Sequence, residues 1–141
     1  MNIDALVDFY QGLTPAEVGR FSEFYSADAR FKDPFNEVSG LAAIQRIFSH
    51  MFDQVAVPRF IVTERLAAES AALLVWEFHF NVRRWGRDRP QVIRGASHLQ
   101  FGTDGRVCNH RDYWDVAEEL YEKLPVLGLL LRALRRMLSA G

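Results

Sequence analysis

At 141 residues the chain fits one domain and can bury a substantial core, and its net charge of −1 lacks the basic excess of a general nucleic-acid binder. Hydrophobic residues make up 49% of it and aromatic residues 13%, with eleven Phe, which suits an apolar core or a lined cavity. The single cysteine, Cys108, excludes an internal disulfide and points to a reducing compartment.

Taken in order, Ile3, Leu6, Val7 and Tyr10 recur on a helical period and predict a short amphipathic helix over residues 3–12. Thr14, Pro15 and Glu17 restart a helix, as N-cap, first helical residue and capping-box partner. Its apolar stripe is Val18, Phe21 and Phe24 or Tyr25, and residues 26–28 end it. A short strand over 29–32 runs into Asp33, and Pro34 pushes Asp33 towards an extended conformation. Residues 36–40 read as a turn. A third helix follows, with Leu41, Ile44, Ile47, Phe48, Met51, Phe52 and Val55 on one stripe.

After Pro58 the texture changes to strands over 59–66, 72–85, 91–101 and 106–114. In the second of these, Trp76, Phe78 and Phe80 alternate with Glu77, His79 and Asn81, so one face is aromatic and the other polar. Thr103-Asp104-Gly105 is a hairpin signal. Asp115 caps a helix with Glu118 as its capping-box partner, Pro125 breaks it, and a leucine-rich helical tail carries Arg132, Arg135 and Arg136. Helices, then an antiparallel meander, then a helical tail give an α+β class. A strongly curved sheet wrapped around the N-terminal helices would enclose a cavity at one end. The chain reads as a single domain over 1–141, with its core in 1–115 and the tail in 116–141.

Two acids stand out. Asp33 lies where a short strand meets a turn before an apolar helix, where burial would raise its pKa and make it a base. The plainer alternative is an Asp-Pro turn that uses the side chain locally. Asp112 shares a strand face with His110 and Trp114, and the first two form a pair able to trade a proton. The alternative for Asp112 is an ion pair with an arginine of a neighbouring strand. Trp76, Phe78 and Phe80 line a ligand cavity or simply fill a core. His79 and His98 fall on the opposite sheet face, suited to a dimer interface or solvent. Cys108 shares the alternation of His110, but nothing in the sequence pairs with it as a nucleophile.

The order of elements resembles the nuclear-transport-factor-like cone fold, a cystatin-like half-barrel, and two segments carry the likeness. FYSADARFKDPF, residues 24–35, is similar to the segment of ketosteroid isomerases in which the Asp before Pro is the general base, a role that maps onto Asp33. HRDYWD, residues 110–115, is similar to a stretch of limonene epoxide hydrolases whose first Asp is catalytic, which maps onto Asp112. SnoaL-type polyketide cyclases share the fold and use an acidic residue as acid or base. Through SHLQF the isomerases' oxyanion-binding Asp maps onto Ser97, and their first-helix Tyr onto Tyr10 or, one residue away, onto Phe9. The epoxide hydrolases' Arg-x-Asp pair falls on His79 and Asn81.

The resemblance implies a SnoaL-like isomerase, cyclase or hydrolase without cofactor or metal, with Asp33, Asp112, His110 and Tyr10 as the catalytic set. Trp76, Phe78, Phe80, Ser97, Trp114 and Phe52 would contact a small hydrophobic ligand. The rival reading is a non-catalytic ligand-binding or dimerisation module. Under both we expect a homodimer built on the outer sheet face and no nucleic-acid partner. The early acids of residues 1–13 are not a signal peptide, and no apolar run approaches the ~20 residues of a membrane span, so a cytoplasmic location is expected. Membrane contact through the tail is disfavoured against docking on the domain or a partner subunit.

Overall fold

The computed structural model describes residues 1–82, 90–120 and 125–139. Helix α1 (Ile3–Gln11) is capped by the Asn2 side chain, which accepts from the Ala5 amide at 3.0 Å. A 3₁₀ helix (Pro15–Arg20) leads into the single turn α2 (Phe21–Phe24). Then come β1 (Tyr25–Lys32), β2 (Glu37–Ser39), α3 (Leu41–Gln54), β3 (Val55–Ala67), β4 (Ala71–Val82), β5 (Pro90–Phe101) and β6 (Val107–Tyr113). Helices α4 (Val116–Glu119) and α5 (Pro125–Leu138) close the described chain.

The strands form one curved, unclosed sheet in the order β2-β1-β6-β5-β4-β3. The expected antiparallel meander is β3-β4-β5-β6, β1 and β2 also pair antiparallel, and β1 joins the meander parallel to β6, a pairing the sequence did not indicate. The concave face holds α1 and α3. Leu6, Val7, Phe21, Ile44, Leu74 and Leu99 are among its fully buried residues. Rings of Phe9, Phe21, Phe24 and Phe48 knit the helices together, with Phe9 stacked on Phe24 at 4.5 Å. An ion pair from Arg65 to Asp4 and a bond from the Val62 amide to Gln11 Oε1 at 3.0 Å tie α1 to β3.

Several local expectations change. The second helix is a 3₁₀ turn, and no capping box forms: Thr14 makes no side-chain cap, and Glu17 pairs with Arg20 at 2.6 Å. Tyr25 opens β1 instead of closing a helix, and the expected turn at 36–40 contains the short strand β2. Gly40, at φ +97, turns that strand into α3. Strand β3 begins before Pro58, not after it. It is an edge strand, and a register shift between Ala56 and Arg59 absorbs the proline, with Val57 at φ 49. Gly105 takes φ +77 in the β5–β6 hairpin, whose ends are held by Gly102 bonding Arg106 at 2.9 Å. The predicted end of β4 at 83–85 and its loop at 86–89 lie outside the described residues. Asp115 caps α4, accepting from the Glu118 amide at 3.1 Å. Helix α5 leaves Leu129, Leu130, Met137 and Leu138 exposed, and no helix among the described residues is long and apolar enough to cross a membrane.

Candidate functional site

The inward face of β4 carries Leu74, Trp76, Phe78 and Phe80, all buried, as alternation requires. Register then decides what meets them. Ser97 of β5 lies between Leu74 and Asp112 across the sheet, and Leu99 faces His110. On β6, Val107 and His110 both point inward although three positions apart. One residue must therefore be out of step. It is Cys108, the extra residue at a bulge between the Phe101–Val107 and Gln100–Asn109 pairs. Cys108 therefore does not share the face of His110, and its Sγ approaches the Gln100 carbonyl at 3.4 Å instead.

These strands place Asp112 and His110 against each other. His110 Nε2 lies 2.6 Å from Asp112 Oδ1, with His110 only 3% exposed. Ser97 Oγ donates to the same oxygen at 2.5 Å, and Trp76 Nε1 donates to Ser97 Oγ at 2.8 Å. On the far side of the imidazole, Nδ1 lies 2.6 Å from the Tyr25 hydroxyl, which lies 2.5 Å from that of Tyr10. No arginine among the described residues pairs with Asp112, so the ion-pair alternative is not what the fold builds. Arg111 instead stacks its guanidinium over the Tyr113 ring at 4.7 Å.

The polarity of this chain follows from its end members. Indole N–H only donates, so Ser97 accepts from Trp76 and gives its own proton to Asp112. With Asp112 ionised and His110 neutral, Nε2 donates to the carboxylate, Nδ1 accepts from Tyr25, and Tyr10 donates to Tyr25. Burial holds both phenols well above the usual tyrosine range, and the nearby Asp112 charge pushes the same way.

Tyr10, Ser97, His110 and Asp112 are the polar walls of a small cavity of about 30 Å³. Phe48, Phe60, Val62, Leu74 and Trp76 form its apolar walls. That volume holds a water or two, by the ~10–15 Å³ that one needs. Asp112 also borders a shallow outer groove with Lys32, Asp33, Arg111 and Trp114, so it stands between inner cavity and surface.

The remaining predicted site residues lie elsewhere. Asp33 is bonded into its turn. Its Oδ1 accepts from the amides of Phe35 at 2.8 Å and Asn36 at 2.6 Å, and the Asn36 side chain caps both carboxylate oxygens at 3.1 Å. It lines the outer groove and not the cavity. Phe78 and Phe80 stack with Phe60 in a ladder at 4.4 and 5.0 Å, beside the cavity wall and not on it. Phe52 is core, and Trp114 packs edge-on to Phe35 at 5.6 Å by the outer groove. Tyr25 belongs to the site and was not singled out from sequence. Its signal is only a tyrosine at a helix–strand junction. Among the described residues no cluster of three or more His, Cys, Asp and Glu is placed to hold a metal.

The profile of the SnoaL-like domain matches residues 6–110. No curated protein matches the sequence. Among solved structures, the fold is similar to a hypothetical protein of Catenulispora acidiphila with a ketosteroid isomerase-like fold, in complex with trimethylamine, at 15% identity, 84% and 88% coverage of this chain and that one, and TM-score 0.69. It is similar to a putative SnoaL-like polyketide cyclase of Shewanella putrefaciens at 19% identity, 85% and 97% coverage and TM-score 0.67. An LEH-like epoxide hydrolase of M. tuberculosis is similar at 16% identity, 94% and 92% coverage and TM-score 0.66. With a family match over most of its length and the same curved sheet around its helices, the chain belongs to the SnoaL-like domain family.

Proposed function

We propose that this chain is a cofactor-independent acid/base enzyme acting on a small hydrophobic molecule, an isomerase, cyclase or hydrolase, with Asp112 and His110 as the working pair. The observation that carries this reading is the 2.6 Å contact between the two at the wall of a largely apolar cavity, with no arginine of the described residues neutralising the carboxylate. Asp112 Oδ1 is occupied by Ser97 and His110, while Oδ2 has no hydrogen-bond partner among the described residues and is the oxygen left to move a proton. Tyr10 is the phenol at the cavity wall, beside Ser97, His110 and Asp112. Asp33 is left out of the working set because its carboxylate is committed to the turn. The polyketide cyclase and epoxide hydrolase among the similar structures are consistent with chemistry of this type on this fold. The test is turnover of a panel of small cyclic epoxides and unsaturated ring ketones by the native chain and by Asp112→Asn.

A second reading, a non-catalytic ligand-binding module, is favoured by the engagement of Asp112 Oδ1 by both Ser97 and His110. A molecule that binds with equal affinity to the native chain and Asp112→Asn, and is never turned over, would support it. In both readings the chain pairs with a second copy through its outer sheet face, where Leu73, Val75 and Ala96 lie half-buried, and works in the cytoplasm. A monomer mass by light scattering at micromolar concentration refutes the dimer.

A further inference from the structure

The wire that starts at Asp112 ends where the cavity begins again. Asp112, His110 and Tyr10 all line the cavity, and Tyr25 joins His110 to Tyr10 behind its wall; the three contacts are 2.6, 2.6 and 2.5 Å. All the protons of the wire point towards Asp112 when that carboxylate is ionised, as the donor and acceptor inventory requires. Tyr10 then spends its proton on Tyr25 and shows the cavity only a lone pair.

We propose that Tyr10, Tyr25, His110 and Asp112 act as one reversible wire. Uptake of a single proton by the Asp112–His110 pair turns both phenols round, so that Tyr10 offers the cavity an acceptor before uptake and a donor after it. The result does not depend on which partner keeps the proton. An imidazolium beside a carboxylate and a neutral Nδ1–H imidazole beside a carboxylic acid both carry hydrogen on Nδ1. In either case Nδ1 donates to Tyr25, Tyr25 donates to Tyr10, and the Tyr10 O–H is released into the cavity.

The proton balance closes without a phenolate. A ligand hydroxyl at Tyr10 gives its proton to the Tyr10 oxygen. Tyr10 passes its own to Tyr25, Tyr25 passes its own to Nδ1, and the Nε2 proton goes to Asp112. The ligand O–H bond breaks, an O–H bond forms on Asp112, every group between ends neutral, and the electron pair stays on the ligand oxygen, which takes over the negative charge or uses the pair to form a new C–O bond as a leaving group departs. Burial raises both phenols, so a standing tyrosinate is disfavoured, and the wire never requires one. Around the pair stand Tyr10 from α1, Tyr25 and Phe31 from β1, Phe48 from α3, Trp76 from β4 and Ser97 from β5. On its outer side Asp112 also borders the groove that holds Lys32 and Asp33 at the end of β1, Arg111 and Tyr113 of β6, and Asp115; on the cavity side the two phenols are the titratable groups beside the pair.

The ligand class follows. Tyr10 matches a hydroxyl that donates, as in an alcohol, while the pair is ionised, and an oxygen that accepts, as in a ketone, epoxide or ether, once the pair holds a proton. Tyr25, which reaches no ligand, is a positioning residue. The inference rests on the functional reading above only for what the proton is used for.

The test needs no ligand. In isotope-labelled full-length protein, the ring nitrogens of His110 and the Cζ of Tyr10 are followed by NMR across roughly pH 9 to 4. In the native chain, His110 holds its proton on Nε2 at the alkaline end, Nδ1 gains one on acidification, and Tyr10 Cζ shifts with the same midpoint. In Tyr25→Phe the His110 response persists and the Tyr10 response vanishes. An Nδ1–H tautomer at alkaline pH, a flat Tyr10 signal in the native chain, or a Tyr10 response surviving in Tyr25→Phe overturns the proposal. If Tyr25→Phe does not fold, the tautomer and the shared midpoint in the native chain decide alone. A responding wire in a protein that turns nothing over would leave this inference standing and remove the catalytic reading.

Discussion

The Cη2 and Cζ2 carbons of the Trp76 indole pack against Gly95, its cross-strand partner, so closely that a Cβ there would stand 2.6 Å from the ring. That contact orients the ring and carries its Nε1 to Ser97, which in turn holds Asp112. A glycine in a central strand weakens it, and here the missing side chain is the space the indole occupies.

Gly95→Ala should therefore act at a distance. The Tyr113 carbonyl, 3.0 Å from the same point, blocks the other way out, so the indole must move. The expected cost is about 1–3 kcal/mol in urea unfolding, with a displaced Trp76 indole N–H resonance reporting loss of the Ser97 bond. Native stability and an unmoved resonance would show that Gly95 does not set the ring.

The buried phenols make stability fall at high pH. Both folded-state pKa values lie above the unfolded value of about 10, so above that pH the unfolded chain releases protons that the folded chain keeps. The stabilisation is complete below about pH 10 and is lost as pH rises towards the folded values, at roughly 1.4 kcal/mol per pH unit for each phenol. Urea unfolding of the native chain and of Tyr10→Phe between about pH 9 and 11 checks this. The variant should decline with about half the slope, and parallel declines would exclude the two phenols as the cause.

Asp33 and Asp112 should separate. Asp33→Ala removes the acceptor of two backbone amides in an exposed turn, and a loss of about 1 kcal/mol is expected, with ligand turnover kept within a few fold. Thermal unfolding and the substrate panel read the two effects. A large loss of turnover with an unchanged melting temperature would return Asp33 to the catalytic set.

Much of this was legible in the sequence where the signal is local. Alternation in β4 gave the aromatic inner face, the stripe on α3 gave its buried Ile44, Phe48 and Phe52, and HRDYWD put Asp112 with His110. What stayed hidden depends on partners distant in sequence. Nothing local says that β1 runs parallel to β6, yet that pairing brings Tyr25 to His110 across 85 positions. A single inserted residue at Cys108 reverses the alternation before it, and strict period-two reading cannot see a bulge. Asp33 carried two meanings at once. Asp-Pro-Phe-Asn is the sequence of a turn as much as of a base, and Asn36 three positions on decided for the turn.

The most direct test of the account is turnover by Asp112→Asn beside the native chain on the same panel of small epoxides and ring ketones. The amide keeps an oxygen for Ser97 and His110, so the fold should hold while the base is removed. The account predicts a loss of roughly 10²–10⁴-fold in kcat with an unchanged melting temperature. Equal turnover by the two proteins would contradict it and leave the cavity as a place where a ligand is held and not changed.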